Sequence, residues 1–233
     1  YAHSVGAHGT WGVRISYFGY GSMKETDATG NIIGEFSPKD VAFGASYSYD
    51  ITDRLRGGAN LKMVYSGYAD YSAFALATDL GINYYNPDND LSLSLVLRNL
   101  GGQVKKFNQT SDKLPWDIQL GLTKGLSDVP FRLSVTATNL NKWKLPYLKR
   151  SDDNSTTSPL QVKDSFTSNL FRHLVFAGEY TPTERIYLGL GYNYKTRTDM
   201  STYSRNLLSG FSLAAGMKVR GFGFGVALAQ PHS

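Results

Sequence analysis

Between Leu91 and Leu97 the chain reads Leu-Ser-Leu-Ser-Leu-Val-Leu, with leucine at every odd position. Side chains alternate across a strand, so one face of this segment is pure leucine and the other is mostly small and polar. One such strand fits many folds. Here the same alternation returns in about eleven segments separated by turn signals, and that repetition is what limits the architecture.

Taken in order, residues 9–20 set Trp11, Val13, Ile15 and Tyr17 against Thr10, Gly12, Arg14 and Ser16. A polar excursion over 21–39 has Asp27-Ala-Thr-Gly-Asn31 as its turn. Strands follow at 40–50, 54–65, 73–85, 91–97, 115–124, 131–140, 174–180, 185–195, 208–219 and 221–230. The connections alternate in length. Short ones fall near 50–53, 86–90, 127–130, 181–184 and 220–221, and long ones at 21–39, 66–72, 101–113, 141–170 and 196–206, with a Ser/Thr/Asp-rich centre at 151–158.

Segments of about ten residues, alternating short and long connections, and aromatic residues at both strand ends are the pattern of an outer-membrane barrel. Trp11, Tyr47, Tyr49, Tyr84, Tyr85, Phe131, Tyr180 and Phe222 mark the short-turn end, and Tyr17, Tyr20, Tyr65, Trp116, Tyr192, Tyr194 and Phe211 the long-loop end. A soluble β-sandwich or β-helix explains the alternation but neither the loop asymmetry nor the two girdles. The expectation is an all-β, transmembrane antiparallel β-barrel with its long loops extracellular. Bacterial barrels have even strand counts and open edges are costly in lipid, so a count of about eleven predicts a single domain over 1–233 that is incomplete at one or both ends.

Composition narrows the chemistry. There is no cysteine, which removes disulfides, thiolate metal sites and a cysteine nucleophile. The formal charge of +5 is scattered and contains no basic run, so nucleic acid is not an expected partner. No apolar run reaches the length of a membrane helix. His3, His8, His173 and His232 are not ligand-spaced, and no serine–histidine pairing stands out, so no metal, cofactor or enzyme activity is expected. Gly221, Gly223 and Gly225 lead into a strand and read as small inner-face residues, not a phosphate loop. The inner face carries Arg14, Arg54, Arg56, Lys62, Asp79, Arg98, Asp117, Arg132, Glu179, Lys195 and Lys218. That set reads as a wall salt-bridged to itself or to a plug, over an anion-favouring lumen. The sequons Asn108–Thr110 and Asn154–Thr156 mark polar loops.

The stretch Tyr17-Phe-Gly-Tyr-Gly-Ser-Met-Lys-Glu-Thr-Asp-Ala-Thr-Gly-Asn-Ile-Ile-Gly-Glu-Phe-Ser-Pro-Lys-Asp40 resembles the PorV/PorQ family of the type IX secretion system of Bacteroidetes, on the PorQ-like side. Arg98-Asn-Leu-Gly-Gly102 and the Ala-Gln-Pro-His-Ser ending at Ser233 fit the same family. The resemblance implies a FadL-like barrel of about 14 strands, of which about 11 lie in this chain. It also implies a non-enzymatic anchor in the outer membrane. The implied partners are a PorZ-like soluble surface protein, a PorU-like sortase and a PorV-like barrel in a cargo attachment complex. The rival expectation is a FadL-like transporter of hydrophobic small molecules, against which the small, polar inner face speaks. Candidate partner contacts are Trp143, Leu145, Tyr147 and Leu148 in one long loop and Ile32, Ile33 and Phe36 in another. The first cluster either meets a partner or packs down over the barrel mouth.

Overall fold

The computed structural model describes residues 1–107, 113–150, 160–200, 208–219 and 222–229. In chain order the strands are β1 (Ala2–Val5), β2 (Gly9–Gly19), β3 (Met23–Thr26), β4 (Ile32–Phe36), β5 (Lys39–Thr52), β6 (Leu55–Tyr68), β7 (Tyr71–Asn86), β8 (Leu91–Lys105), β9 (Asp117–Gly125), β10 (Phe131–Ala137), β11 (Tyr147–Arg150) and β12 (Leu160–Lys163). Helix α1 (Phe166–His173), β13 (Leu174–Thr183), β14 (Ile186–Asn193), α2 (Tyr194–Met200), β15 (Phe211–Val219) and β16 (Phe222–Ala229) follow. Neither helix is long and apolar enough to cross a membrane.

Twelve strands form one large sheet in the order β1-β2-β5-β6-β7-β8-β9-β10-β13-β14-β15-β16, and β3-β4 and β11-β12 form separate hairpins. Every pairing whose register is defined is antiparallel, and those between the long strands of the large sheet join apolar position to apolar position. Ile15 faces Phe43, which faces Met63. Leu122 faces Val135, which faces Phe176. Leu190 faces Leu213, which faces Leu228. Cross-strand pairs of this kind fix register, because a one-residue slip would move every apolar side chain to the other face.

The chain divides into two compact units, Tyr1–Asn83 with Val96–Asp117, and Tyr84–Leu95 with Ile118–Ser233. In the first, the buried apolar side chains are alanines, Ala73, Ala75 and Ala77, while Ile15, Tyr17, Leu61, Met63, Leu80 and Ile82 are exposed. In the second, Leu145 is buried and Leu93, Leu95, Leu120, Leu133, Leu188, Leu190, Leu213, Val226 and Leu228 are exposed. Both units therefore expose large apolar side chains of their strands, and in β7 the covered side is the small-residue one, the reverse of a soluble sheet.

Several sequence expectations are corrected. The first strand was missed: β1 is only four residues long and carries no alternation, yet it pairs with β2 from Ala2↔Gly12 to Val5↔Gly9. The described count is twelve, and the argument from an odd number loses its premise. Residues 66–72 are not a long loop, since β6 and β7 are joined through Ala69 (φ 47°) and Asp70 alone. The excursion at 21–39 holds the β3–β4 hairpin, and 141–170 holds β11, β12 and most of α1. The strand at 185–195 stops at Asn193, so Lys195 lies on α2 and not on a strand face. The strand at 131–140 ends at Ala137, and the one at 115–124 begins at Asp117. The sequons, the 151–158 stretch, the 220–221 turn, His232 and the ending at Ser233 lie outside the described residues.

The strand beginning at Leu91 also runs past Leu97 to Lys105. Alternation fails there because Asn99 takes a left-handed backbone (φ 56°). Leu93 and Leu95 are exposed before it and Val104 beyond it, with Arg98, Gly101 and Lys105 open as well, so no single parity runs through the strand. Asparagine tolerates this backbone, and its polar groups are used. Its N–H donates to Asp79 Oδ1 at 2.8 Å, its amide donates to the Pro115 carbonyl at 2.9 Å, and its Oδ1 accepts from Lys62 Nζ. Lys62 also pairs with Asp79 at 2.6 Å. Asn99→Val places a β-branched residue at positive φ and removes the two side-chain bonds, to Lys62 and to the Pro115 carbonyl. A loss of about 2–3 kcal/mol of folding free energy is expected by urea titration, with Asn99→Gly losing less. Equal losses for the two variants would show that backbone strain plays no part.

Candidate functional site

The connection between β10 and β13 builds the most organised non-sheet region of the second unit. Asn139 (φ 57°) follows the end of β10 at Ala137 and shares the left-handed backbone of Asn99, which lies within β8. Helix α1 is capped by Ser165, whose Oγ accepts from the Ser168 N–H at 3.3 Å. Its inner face carries Asn169, Arg172 and His173, all buried. Asn169 Oδ1 accepts from the Leu145 N–H at 3.0 Å and its amide donates to Asp164 at 2.7 Å, which seats the loop on the helix.

His173 closes the other side. Its Nδ1 lies 2.6 Å from the Thr138 carbonyl and its Nε2 3.0 Å from the Trp143 carbonyl, so each ring nitrogen faces a backbone acceptor. The Trp143 ring stacks on His173 with centroids 5.2 Å apart and meets Phe166 at the same distance. Arg172, only 2% exposed, donates to Asp199 on α2 at 2.6 Å and to Thr198 Oγ1, and lies 4.7 Å from the centre of the Tyr147 ring. Lys195 reaches the second Asp199 oxygen at 2.6 Å. Burial opposes ionisation of Asp199, but the hydrogen bonds from Lys195 and Arg172 outweigh it and hold its carboxyl below the usual carboxylate range.

The candidate contact residues thus divide. Leu145 is buried and Tyr147 is half-buried under Arg172, so these two pack down. Trp143, 45% exposed, and Leu148 remain at the surface. The packing and contact alternatives each hold for part of the cluster.

In the other unit, the β3–β4 hairpin turns where expected. Asp27 accepts from the Thr29 hydroxyl at 2.7 Å and from the Thr29 and Asn31 N–H groups at 2.9 Å. The Thr29 hydroxyl foremost, then the Asn31 backbone and side chain, lower the Asp27 pKa to about 2. Ile32 and Ile33 are 59% and 63% exposed, and Phe36 is half-buried opposite Met23.

The charged side chains read as a self-paired wall include real pairs. Besides Lys62–Asp79, Arg56 meets Asp50, and Arg132 meets Asp90 at 2.9 Å in the 86–90 turn. Arg132 foremost lowers the Asp90 pKa. Among the described residues no three His, Asp or Glu side chains converge as a metal site would require. The chain matches no protein-family model and no curated protein.

Sequence reasoning missed the roles of Arg172, His173, Asn169 and Asp199, which it had placed in loops or left as isolated histidines. A usable signal was the Ser165 cap before Phe-Thr-Ser-Asn-Leu-Phe-Arg-His173, where an apolar and a polar stripe repeat at helical spacing. Because the folded pKa of Asp199 is depressed, its contribution is complete above the ordinary carboxylate value of about 3.9 and is lost as pH falls through the lower folded value. Hydrogen-exchange protection of α1 and α2 is therefore expected to hold at neutral pH and to fall only below about pH 4. Arg172→Ala should cost about 3 kcal/mol or less locally, since Asp199 keeps Lys195 and is partly exposed. Protection unchanged in that variant would dismiss the ion cluster as the clasp between the helices.

Proposed function

We propose that this chain is a membrane-spanning β-barrel of the outer membrane, FadL-like and completed at about 14 strands, that anchors a soluble surface protein. The observation that carries the membrane part is the run of leucine, isoleucine, valine and phenylalanine exposed on strand after strand, while the alanines Ala73, Ala75 and Ala77 of β7 are covered. Water would drive such a surface to bury itself, whereas a bilayer core leaves it at no cost. In lipid only helices and closed sheets keep their backbone groups paired, so the twelve-stranded ladder is the spanning structure.

The anchoring part follows from what caps the connections. In the proposed orientation β3–β4, and β11–β12 with α1, stand on the extracellular side. They present Ile32 and Ile33 in one case and Trp143 and Leu148 in the other. Trp143 is held by stacking and by its carbonyl on His173, so little conformational freedom is lost when it is covered. On the family resemblance the partner is a PorZ-like surface protein, with a PorU-like sortase and a PorV-like barrel completing the attachment complex.

Two experiments test the two parts. Leu95→Arg sets a charge on the exposed face and should lower folding into phosphatidylcholine vesicles by about 2–4 kcal/mol, while Ser94→Arg should cost less. Equal tolerance of both would remove the membrane reading. For the anchor, the whole protein is purified from its native membrane in mild detergent and its companions identified by mass spectrometry. Replacing 143–148 by Gly/Ser should release a stoichiometric surface protein and leave the barrel folded. A barrel that emerges alone, carrying fatty acid, would point to the transporter instead.

A further inference from the structure

We propose that a trough across β6, β7 and the C-terminal half of β8 binds one anionic phospholipid, its acyl chain lying over Gly102 and its phosphate held at Lys105 and Lys106. The proposal rests on the membrane reading above and adds to it a specific lipid site.

The trough is lined by Leu61 of β6, Leu76, Ala77 and Thr78 of β7, and 100–104 of β8, and encloses about 410 Å³. That lies within the range of small-molecule sites, about 300–1,000 Å³. It has a structural origin. The left-handed Asn99 interrupts the alternation of β8, and beyond it Leu100, Gly101, Gly102, Gln103 and Val104 line the trough. Glycine then stands in the lining between Leu100 and Val104. A Cβ on Gly102 would meet nothing within 4 Å, so the position opens onto empty space. Gly101 differs: a Cβ there would lie 2.0 Å from the Leu76 carbonyl oxygen, which means β8 and β7 are in close backbone contact and form a continuous floor. Leu61, Leu76 and Val104 are exposed around that floor.

Charge marks one end of the trough. Lys105 and Lys106 follow Val104 directly, and the Lys105 ammonium donates to Ser72 Oγ at 2.5 Å. Ser72 lies in the same row of β7 as Phe74 and Leu76, so this ammonium sits on the outward face above the apolar lining. No described acidic side chain pairs with either lysine. Tyr68 and Tyr71, both exposed, flank the adjoining turn, as aromatic side chains do at headgroup depth. An apolar trough that ends in two uncompensated cations under an aromatic rim matches an acyl chain joined to a negatively charged phosphate. A zwitterionic headgroup or a free fatty alcohol uses only part of that surface.

The test uses the folded chain in detergent micelles doped with equal phosphatidylglycerol and phosphatidylcholine of the same acyl chains, read by native mass spectrometry. One phosphatidylglycerol should be retained, at least tenfold over phosphatidylcholine. Gly102→Leu, which puts a side chain into the trough at a position whose Cβ meets nothing within 4 Å, and Lys105→Ala with Lys106→Ala should each reduce retention at least tenfold. Retention of both lipids equally, or retention unchanged in Gly102→Leu, overturns the site. A parallel flotation assay with phosphatidylcholine vesicles separates the two levels: a chain that floats yet retains no lipid sinks the site alone, whereas a chain that does not float sinks the membrane reading beneath it.

Discussion

A β-ladder satisfies its backbone groups whichever face of the sheet is apolar, so side-chain parity alone decides what environment the sheet is built for. Here parity places alanine, glycine and serine on one side and leucine, isoleucine and phenylalanine on the other, and the large side is the exposed one. The rest of the structure depends on that assignment. It accounts for long, regular strands with apolar pairs across them. It also accounts for the charged groups that are found in pairs, because a lone charge beside a small-residue wall has no water-like partner to replace its hydration.

The sheet was legible in the sequence to the extent that parity stayed unbroken. The strands around Ile15, Phe43, Leu133 and Leu190 were found because apolar residues recur at every second position through them. β1 was invisible because four residues, Ala-His-Ser-Val, are too few to show a period, and its strand state comes from pairing with β2. β8 was cut short at Leu97 because the left-handed Asn99 breaks the period without ending the strand. The asparagines could have been suspected. Leu93-Ser-Leu-Val-Leu-Arg-Asn99-Leu and Leu133-Ser-Val-Thr-Ala-Thr-Asn139-Leu place an asparagine at the same point after a Leu-Ser pair, and both adopt positive φ.

The candidate site was legible in composition but not in arrangement. Trp143, Leu145, Tyr147 and Leu148 stand out as an apolar group in a polar connection, yet nothing local decides which of them faces inward. That is settled by side chains far along the chain: Asn169 takes the Leu145 N–H, His173 takes the Trp143 carbonyl, and Arg172 covers Tyr147. Such contacts close loops of more than twenty residues and leave no trace in short-range periodicity. The short helix that supplies all three depends on them in turn, since eight residues are too few to hold a helix without tertiary support.

These two kinds of order have different consequences for binding. A leucine face gives an environment but no specificity, because every apolar chain in a bilayer meets it equally well. Specific recognition needs a place where the regular pattern is interrupted and the interruption is held in a fixed shape. Asn99 and Asn139 each make such an interruption, one within a strand and the other at its end. After Asn99, Gly102 leaves a gap in the trough lining, floored by the contact of Gly101 with the β7 backbone. After Asn139, the chain leaves the sheet and returns over α1, with Trp143 fixed at its edge. In both cases the left-handed asparagine turns a repeating wall into a defined feature, and both proposed binding surfaces stand immediately beyond one.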